Sequence, residues 1–358
     1  MEKVLVTGSL GYIGSVLTEY LKKNYYECIG YDTGFFEDCY LYRPSETSTI
    51  IRDLRDFESN DLRNVKAVIH LAGIINDPFG NLDAQKIYDP VRDYTFKIAN
   101  MCKNKGVKFI FASSCSIYGR GQQGLLDENS PPNPQTLYSL NKLQCEEDLK
   151  KISDKNFSPI SLRLATLFGM SPRIRFDEAV NMLVGMAVTT GKIILNSDGS
   201  AWRPHVHILD VCKAFTRCID LEYNEEHPLI LNVGDTRNNY QIIEIANIIK
   251  ESVANSEIYF LGNDPKLDKT GLVGDKKIQD GVDVRTYKIS FEKIKKYING
   301  FQCDWSLQKG ILDMINQLKN YNLTESQFSN INFYRLQKLE YLHKNNLITE
   351  DMLWTNKS

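Results

Sequence analysis

Residues 8–14 read GSLGYIG and stand between the apolar run KVLVTG (3–8) and a stretch with apolar residues at helical spacing. In a strand–turn–helix unit of this kind, Gly8 permits the tight turn, Gly11 lets the backbone approach a pyrophosphate, and Gly14 allows the helix to pack closely on the strand. The free N–H groups and the positive end of the helix then favour a phosphate. The stretch therefore predicts a dinucleotide site, and the alternative is a glycine turn that only packs.

Short apolar runs alternate with amphipathic stretches through the first half of the chain, which is the order typical of an α/β fold. Turn residues bound four β-branched or aromatic runs that indicate buried parallel strands: KVLVTG (3–8), YECIGYD (26–32), AVIHLAG (67–73) and KFIFASS (108–114). Two later runs, SPISLRLATLF (158–168) and PLILNVG (228–234), indicate further strands. The pattern predicts a Rossmann-type doubly wound parallel sheet.

The second half of the chain is less regular and predicts a smaller α/β domain built from insertions after the later strands. We place the dinucleotide-binding domain at residues 1–168, joined by 206–234, and the smaller domain at 169–205 and 235–322. Residues 323–358 form a C-terminal extension that is predicted to be helical, because it has apolar residues at helical spacing and no glycine or proline. This extension either packs on the body of the protein or forms a dimer contact.

Composition excludes several classes of partner. The 358 residues carry a formal net charge of −2, which gives no basic field for nucleic acid or an anionic membrane. The chain has no apolar run of about 18 residues that would span a membrane, and its first residues run straight into a strand. Eight scattered cysteines form no CxxC pair, which argues against a zinc site or a disulfide framework. We expect a cytoplasmic protein that binds no metal, nucleic acid or membrane.

Asp32 ends the second apolar run, where an acidic side chain accepts hydrogen bonds from the adenosine ribose and repels a 2′-phosphate. The position favours NAD over NADP, and the alternative is a solvated aspartate on a loop. Arg43 is the nearest basic residue along the chain, and we expect it to lie too far away to reverse this preference. Asp53 and Leu54 follow another short apolar run and are predicted to cap the adenine.

Tyr138 and Lys142, in YSLNK (138–142), are four residues apart and share one face of a helix. A tyrosine hydroxyl has a pKa of about 10, and a neighbouring cation lowers this pKa by stabilising the phenolate. Tyr138 is therefore a candidate base that removes a hydroxyl proton while a nicotinamide takes the hydride. The alternative is an ordinary pair on a helix surface. The nearby stretch SSCSIYG (113–119) lies at the carboxyl end of a predicted strand, where a serine hydroxyl can bind the reacting oxygen.

Taken together, these pieces resemble the extended short-chain dehydrogenases/reductases of the nucleotide-sugar epimerase/dehydratase family. The resemblance extends from residue 8 to residue 287 in the family's order. It is carried by GSLGYIG, Asp32, Asp53, HLAG (70–73), SSCSIYG, YSLNK, RPHVHILD (203–210) and RTY (285–287). It implies NAD as the cofactor and a nucleotide sugar as the substrate, and it assigns the smaller domain to binding of that substrate. It also leads us to expect a homodimer.

The resemblance also implies roles for single residues. Ser114, Tyr138 and Lys142 are the implied catalytic residues: Ser114 holds a sugar oxygen, Tyr138 removes a hydroxyl proton at C4, and Lys142 tunes Tyr138 and binds the nicotinamide ribose. Ser113 is placed beside the nicotinamide. The implied NAD contacts are Gly8, Gly11, Tyr12, Ile13, Gly14, Asp32, Asp53, Leu54, Leu71, Ala72, Gly73, Ser113, Tyr138 and Lys142.

Cys115 and Ser116 fall where 4,6-dehydratases of the family carry an Asp-Glu acid/base pair. A thiol is a weak acid with a pKa of about 8.5. We therefore interpret Cys115 as a packed residue, with a role as an acid/base as the alternative. The absent acid pair favours a 4-epimerase that returns the hydride to the other face of a 4-keto sugar. A dehydratase, a C4 dehydrogenase or reductase, and a non-catalytic NAD-binding scaffold or sensor stay open.

On the substrate side, the resemblance implies that Asn181, Arg203 and Arg285 contact the substrate diphosphate. Arginine suits this role because its planar fork binds phosphate oxygens with two donors, and the alternative is a set of structural ion pairs. The chain departs from the family at Thr166 and Val91, where many members have asparagine. Two further residues, Asn76 and Asp77, fall on the loop that faces the sugar in the family.

Overall fold

The structure is a computed structural model that describes residues 1–74, 84–261 and 286–355. Its strands are β1 (Lys3–Thr7), β2 (Glu27–Asp32), β3 (Thr49–Ile51), β4 (Val65–His70), β5 (Lys108–Ser114), β6 (Arg120–Leu126), β7 (Ile160–Leu164), β8 (Thr166–Phe168), β9 (Lys192–Leu195), β10 (Trp202–His207), β11 (Leu229–Val233), β12 (Asn239–Gln241), β13 (Glu257–Phe260) and β14 (Thr286–Ile289). Its α-helices are α1 (Tyr12–Lys23), α2 (Ala84–Lys105), α3 (Leu137–Ile152), α4 (Ala179–Thr190), α5 (Ile208–Ile219), α6 (Ile242–Ser252), α7 (Glu292–Tyr297), α8 (Leu307–Asn320), α9 (Glu325–Phe328) and α10 (Arg335–Lys344).

Seven parallel strands form the central sheet, in the order β3-β2-β1-β4-β5-β7-β11. The order reverses between β1 and β4, and the crevice outside the carboxyl ends of these two strands is the place where ligands bind in such sheets. The predicted Rossmann-type doubly wound sheet is therefore confirmed.

Helices cover both faces of this sheet because its strands are apolar on both sides. On one face, Leu17 of α1 and Phe215 of α5 belong to the same buried cluster as Ile110 of the sheet. On the other face, α2 and α3 pack over Phe109 and Phe111. The seven-residue register of β5 thus alternates between the two layers, as its β-branched and aromatic sequence predicts.

One predicted strand is wrong in its extent. The run at 158–168 is not continuous, because the chain leaves the central sheet at Ala165 and divides into β7 and β8. Strand β8 pairs in parallel with β10, and β10 pairs with β12 in a second, three-stranded sheet. A second buried core lies beyond this sheet, between α4, α6, α8 and β9. The predicted domain bounds themselves stay a prediction.

The C-terminal extension is helical only in part. Helix α10 ends at Lys344, and the segment after it turns back on itself through a bridge between Ile348 and Trp354. Leu339, Leu342, Ile348 and Met352 pack in one apolar cluster with Phe35, Ile87 and Tyr88. The extension therefore packs on the body of the same chain, which is the first of the two alternatives above.

No helix in residues 1–74, 84–261 and 286–355 is both long and apolar enough to cross a bilayer. The same ranges contain no group of three or more His, Cys, Asp or Glu side chains placed to hold a metal ion. His207, which the sequence could offer as a ligand, instead stacks on Trp305 with ring centroids 4.1 Å apart.

Candidate active site

A cavity of about 540 Å³ opens at the carboxyl ends of the central strands. It runs from Asp32 and Asp53 at one end, past the loop that joins β1 to α1, to Tyr138 and Arg203 at the other. Because it spans the point where the strand order reverses, it is the place for a dinucleotide and a second ligand in this fold.

The loop between β1 and α1 forms one wall of the cavity, and two of its glycines are required by close approach. Gly8 has φ of +71°, and a Cβ there would lie 2.9 Å from the backbone nitrogen of Ala72. A Cβ on Gly14 would lie 2.2 Å from the carbonyl oxygen of Gly8. Gly11 precedes α1 and provides no side-chain cap, so the first N–H groups of the helix are open to a ligand. This cradle fits a pyrophosphate.

Asp32 lies at the end of β2 and lines the cavity. Its carboxylate accepts hydrogen bonds from the backbone N–H groups of Leu10, at 3.0 Å, and Gly34, at 2.9 Å. Burial raises the pKa of Asp32, and these two bonds oppose the rise. Arg43 is exposed and pairs with Glu46, so its charge is occupied away from the carboxylate.

Asp53 and Leu54 line the same end of the cavity. The carboxylate of Asp53 is held by the Arg55 guanidinium, with Oδ1 2.8 Å from Nε and Oδ2 2.8 Å from Nη2. Arg55 was not among the predicted residues, although it follows Asp53 by two positions. The predicted NAD contacts Gly8, Gly11, Tyr12, Ile13, Gly14, Leu71, Ala72, Gly73 and Ser113 all line the cavity as well. The structure therefore brings the predicted cofactor residues together.

Helix α3 brings Tyr138 and Lys142 into the cavity on one face, and the end of β5 brings Ser114 beside them. The Ser114 hydroxyl hydrogen-bonds the Tyr138 phenol, which lowers the pKa of Tyr138, but burial outweighs this bond and raises that pKa to about 12. The shift has the opposite sign to the one predicted from the sequence. The reason is position: Lys142 Nζ donates to the carbonyl oxygen of Ala112 at 2.8 Å and lies 5.9 Å from the centroid of the Tyr138 ring.

Burial also lowers the pKa of Lys142, to about 8. Desolvation is the largest cause, because it penalises the ammonium form. The positive charges that act on the Tyr138 phenol come from Arg175 and Arg335, and both lower its pKa. These two arginines, rather than Lys142, are the cations that favour the phenolate in this structure.

The two residues that flank Ser114 do not face the reacting groups. The Ser113 hydroxyl donates to the buried Glu146 carboxylate, so its side chain points into the layer between β5 and α3. Cys115 is 1% exposed, and its Sγ lies 3.2 Å from the carbonyl oxygen of Arg163. Burial raises the pKa of Cys115, which makes the thiol a poorer acid still. The position agrees with a packed role for this cysteine.

The predicted substrate residues fare differently. Arg203 on β10 lines the cavity, where its Nη1 donates to the carbonyl oxygen of Trp202 and its guanidinium lies 5.4 Å from the Tyr287 ring centroid. Asn181 is fully buried, and its amide bonds to Gly169, Tyr12 and Arg175 instead of facing the cavity. The expectation that Asn181 contacts the substrate diphosphate is thus contradicted, because this amide joins α4 to the first domain. Arg285, Asn76 and Asp77 lie outside the described residues.

Sequence reasoning missed the side chains that reach the cavity from distant parts of the chain. Arg175, Asp177 and Glu178 precede α4, and Arg335 begins α10 in the C-terminal extension. Arg175 pairs with Asp177, with Nε 2.9 Å from Oδ1, and also with Glu178. The run RIRFDEAV marks the first three residues as charged within an apolar context, whereas no sequence signal distinguishes Arg335 from its neighbours.

Comparisons with known proteins agree with this geometry. A model of the NAD dependent epimerase/dehydratase family matches residues 4–234, more than half of the chain. A UDP-glucose 4-epimerase of Bacillus subtilis is 25% identical over 299 residues, which cover 71% of this chain and 83% of the relative.

Two solved structures share the fold. A UDP-glucuronic acid 4-epimerase from Bacillus cereus, in complex with UDP-glucuronic acid and NAD, has a TM-score of 0.69 and 24% identity, covering 88% of this chain and 99% of its own. The NAD-dependent NDP-hexosamine 5,6-dehydratase TunA, involved in tunicamycin biosynthesis, has a TM-score of 0.74 and 18% identity, covering 89% of this chain and 98% of its own.

Proposed function

Because the chain belongs to the NAD dependent epimerase/dehydratase family, we propose that it is a nucleotide-sugar 4-epimerase. The observation that carries this proposal is the pairing of Ser114 with Tyr138 in a cavity whose neighbouring positions, Cys115 and Ser116, hold no carboxylic acid. A proton acceptor for a sugar hydroxyl is present, and the acid/base pair of a 4,6-dehydratase is not.

The residues of the cavity fit NAD. The glycine cradle at Gly8 and Gly11 suits the pyrophosphate, and the Asp32 carboxylate at the end of β2 suits the adenosine ribose. When bound, NAD supplies a hydride acceptor that later returns the hydride to the sugar. Lys142, with a pKa lowered to about 8, is the cation nearest to the Gly73 backbone on the nicotinamide side of the cavity.

Tyr138 acts as the base for the C4 hydroxyl in this proposal. Ser114 already hydrogen-bonds the phenol, so a sugar hydroxyl placed between the two can give its proton to the phenolate while Ser114 holds the oxygen. Arg175 and Arg335 stabilise the phenolate charge, which offsets the cost of burying it. In the reverse direction the same phenol returns the proton to the C4 oxygen.

The nucleotide portion of the substrate would meet Arg203 at the far end of the cavity. Its guanidinium stacks on Tyr287, which holds the planar fork in a fixed orientation. A charged fork of this kind suits the substrate diphosphate. The assignment of Arg203 to the substrate is supported by its place in the cavity wall, at the end opposite Asp32.

Replacing Cys115 with alanine tests the dehydratase alternative. We expect activity to change by less than about 3-fold, because the thiol is buried outside the cavity, and stability to fall by about 1 kcal/mol through the lost packing. Turnover of the purified variant and its thermal unfolding midpoint are the measurements. Ser114→Ala, one residue away, serves as the matched comparison and should lose about 100-fold or more. A Cys115→Ala enzyme as inactive as Ser114→Ala would give the cysteine a catalytic role.

The reaction itself is tested by mass spectrometry on the protein incubated with NAD and a panel of UDP-, GDP-, dTDP- and CDP-sugars. A new chromatographic peak with unchanged mass supports epimerisation and names the substrate. A product lighter by one water would instead identify a dehydratase, and accumulation of NADH with an oxidised sugar would identify a dehydrogenase. Absence of any conversion with the whole panel would contradict the proposal.

We further propose a cytoplasmic homodimer. All eight cysteines are free thiols, which suits a reducing compartment. Helices α2 and α3 lie side by side and expose Phe96, Leu137 and Leu140, each more than a third accessible, which suits a partner surface. Light scattering on the eluted protein should give a mass near twice the 41.1 kDa of the chain. A mass of one chain at micromolar concentration would exclude the dimer.

A further inference from the structure

The C-terminal extension closes the adenosine end of the cavity, although it lies beyond residues 4–234 that the family model matches. Arg55 donates to the carbonyl oxygens of Asp351 and Met352, at 2.8 and 3.0 Å. The Trp354 indole donates to the carbonyl oxygen of Thr33, directly after Asp32, at 2.7 Å. The extension is thus tied to the ends of both loops that carry the predicted adenosine contacts.

Helix α10 begins this wall, and its first residue, Arg335, reaches the glycine cradle. Its Nη2 lies 3.8 Å from the position that a Cβ on Gly11 would occupy, at the open end of α1. Its Nε is buried and has no hydrogen-bond partner within the described part of the chain. The guanidinium carbon lies 5.1 Å from the Phe36 ring centroid, so the fork is oriented by an aromatic face.

The charges around Arg335 do not neutralise it. Asp177 accepts only the backbone N–H of Arg335, at 3.3 Å, and its carboxylate is held by the Arg175 guanidinium through both oxygens. Arg173 lies on the other side, stacked over the same Phe36 ring at 4.6 Å. Burial, followed by repulsion from Arg175 and Arg173, lowers the pKa of Arg335 to about 9. Such a partly buried cation calls for an anion in the cavity.

We propose that Arg335 is a ligand of the cofactor pyrophosphate, so that the C-terminal extension completes the dinucleotide site from outside the Rossmann domain. The inference rests on the proposed use of NAD in this cavity. Gly11 decides between the two diphosphates that the cavity would hold, because the cradle at the start of α1 lies at the dinucleotide end and Arg203 at the other. Arg335 then adds charge-assisted hydrogen bonds to those made by the N–H groups of α1.

Isothermal titration of the nucleotide-free full-length protein tests the assignment with NAD, ADP-ribose and adenosine. For Arg335→Gln we expect the Kd for NAD and for ADP-ribose to rise about 10- to 100-fold, because both contain the pyrophosphate. The Kd for adenosine, which lacks it, should stay within about 2-fold. Lys344→Gln, at the other end of α10 and exposed, is the control that makes the same change in charge and should bind NAD as the wild type does.

Folding is checked in the same samples. The thermal midpoint of the ligand-free Arg335→Gln protein should match or exceed that of the wild type, because an unpaired buried charge is removed. Arg335→Lys keeps a charge without the fork and should fall between the two in NAD affinity. If the wild type binds NAD and Arg335→Gln binds it equally well, this inference is wrong and the proposed function stands.

Two further outcomes are informative. A weaker binding of UDP to the NAD-loaded Arg335→Gln protein, with NAD affinity unchanged, would assign Arg335 to the substrate diphosphate and overturn the proposal. A wild type that fails to bind NAD at all would overturn the proposed function as well.

Discussion

Replacing Tyr138 with phenylalanine is expected to lower turnover by about 10²- to 10⁴-fold while the Kd for NAD stays within about 3-fold. The substitution removes one oxygen, which is the atom that Ser114 hydrogen-bonds and that would receive the hydroxyl proton. The ring remains and keeps the shape of the cavity wall. The measurements are the rate of sugar conversion under saturating substrate and the affinity for NAD.

The control for this prediction is Tyr25→Phe, which removes the same oxygen from a side chain that is 82% exposed. It should leave both the rate and the NAD affinity unchanged. Retention of more than about a tenth of the wild-type rate by the Tyr138→Phe protein would show that another group takes the proton. A parallel loss of NAD affinity would instead point to a disturbed cofactor site.

The sequence predicts the sheet well because its signal is local. Each buried parallel strand is a short β-branched or aromatic run between turn residues, and the glycine loop places the cofactor end at the first of these runs. The catalytic residues are also predictable, because Tyr138 and Lys142 are one helical turn apart and Ser114 ends a strand. These relations depend on spacing along the chain and need no knowledge of the packing.

The errors arise where the answer depends on distant contacts. The environment of Asn181 is set by Tyr12 and Gly169, and the contribution of Arg335 is set by the path that the extension takes back across the cavity. The pKa of Tyr138 rises because burial dominates, and burial is a property of the assembled fold. A sequence pattern predicts which side chains share a helix face, but it does not predict their distance from solvent.

Removing the Arg163 side chain is the substitution with the largest expected effect on stability. Arg163 on β7 and Glu146 on α3 form an ion pair of which each side chain is at most 5% exposed, with Nη2 2.7 Å from Oε2. Arg163 Nη1 also donates to the Tyr118 hydroxyl at 2.8 Å, which in turn donates to Asn232 at 2.9 Å. This network fixes helix α3, and with it Tyr138, against the central sheet.

Arg163→Met is therefore expected to lower the free energy of unfolding by about 3–5 kcal/mol, because the Glu146 carboxylate would stay buried without its cation. Urea denaturation measures this change. Arg43→Met, which breaks an exposed pair with Glu46, should cost less than about 1 kcal/mol. The double variant Glu146→Leu/Arg163→Met removes both charges and should be more stable than Arg163→Met alone. If the double variant is the less stable of the two, the pair stabilises the fold through its attraction, and the cost of a buried unpaired carboxylate is not the dominant effect.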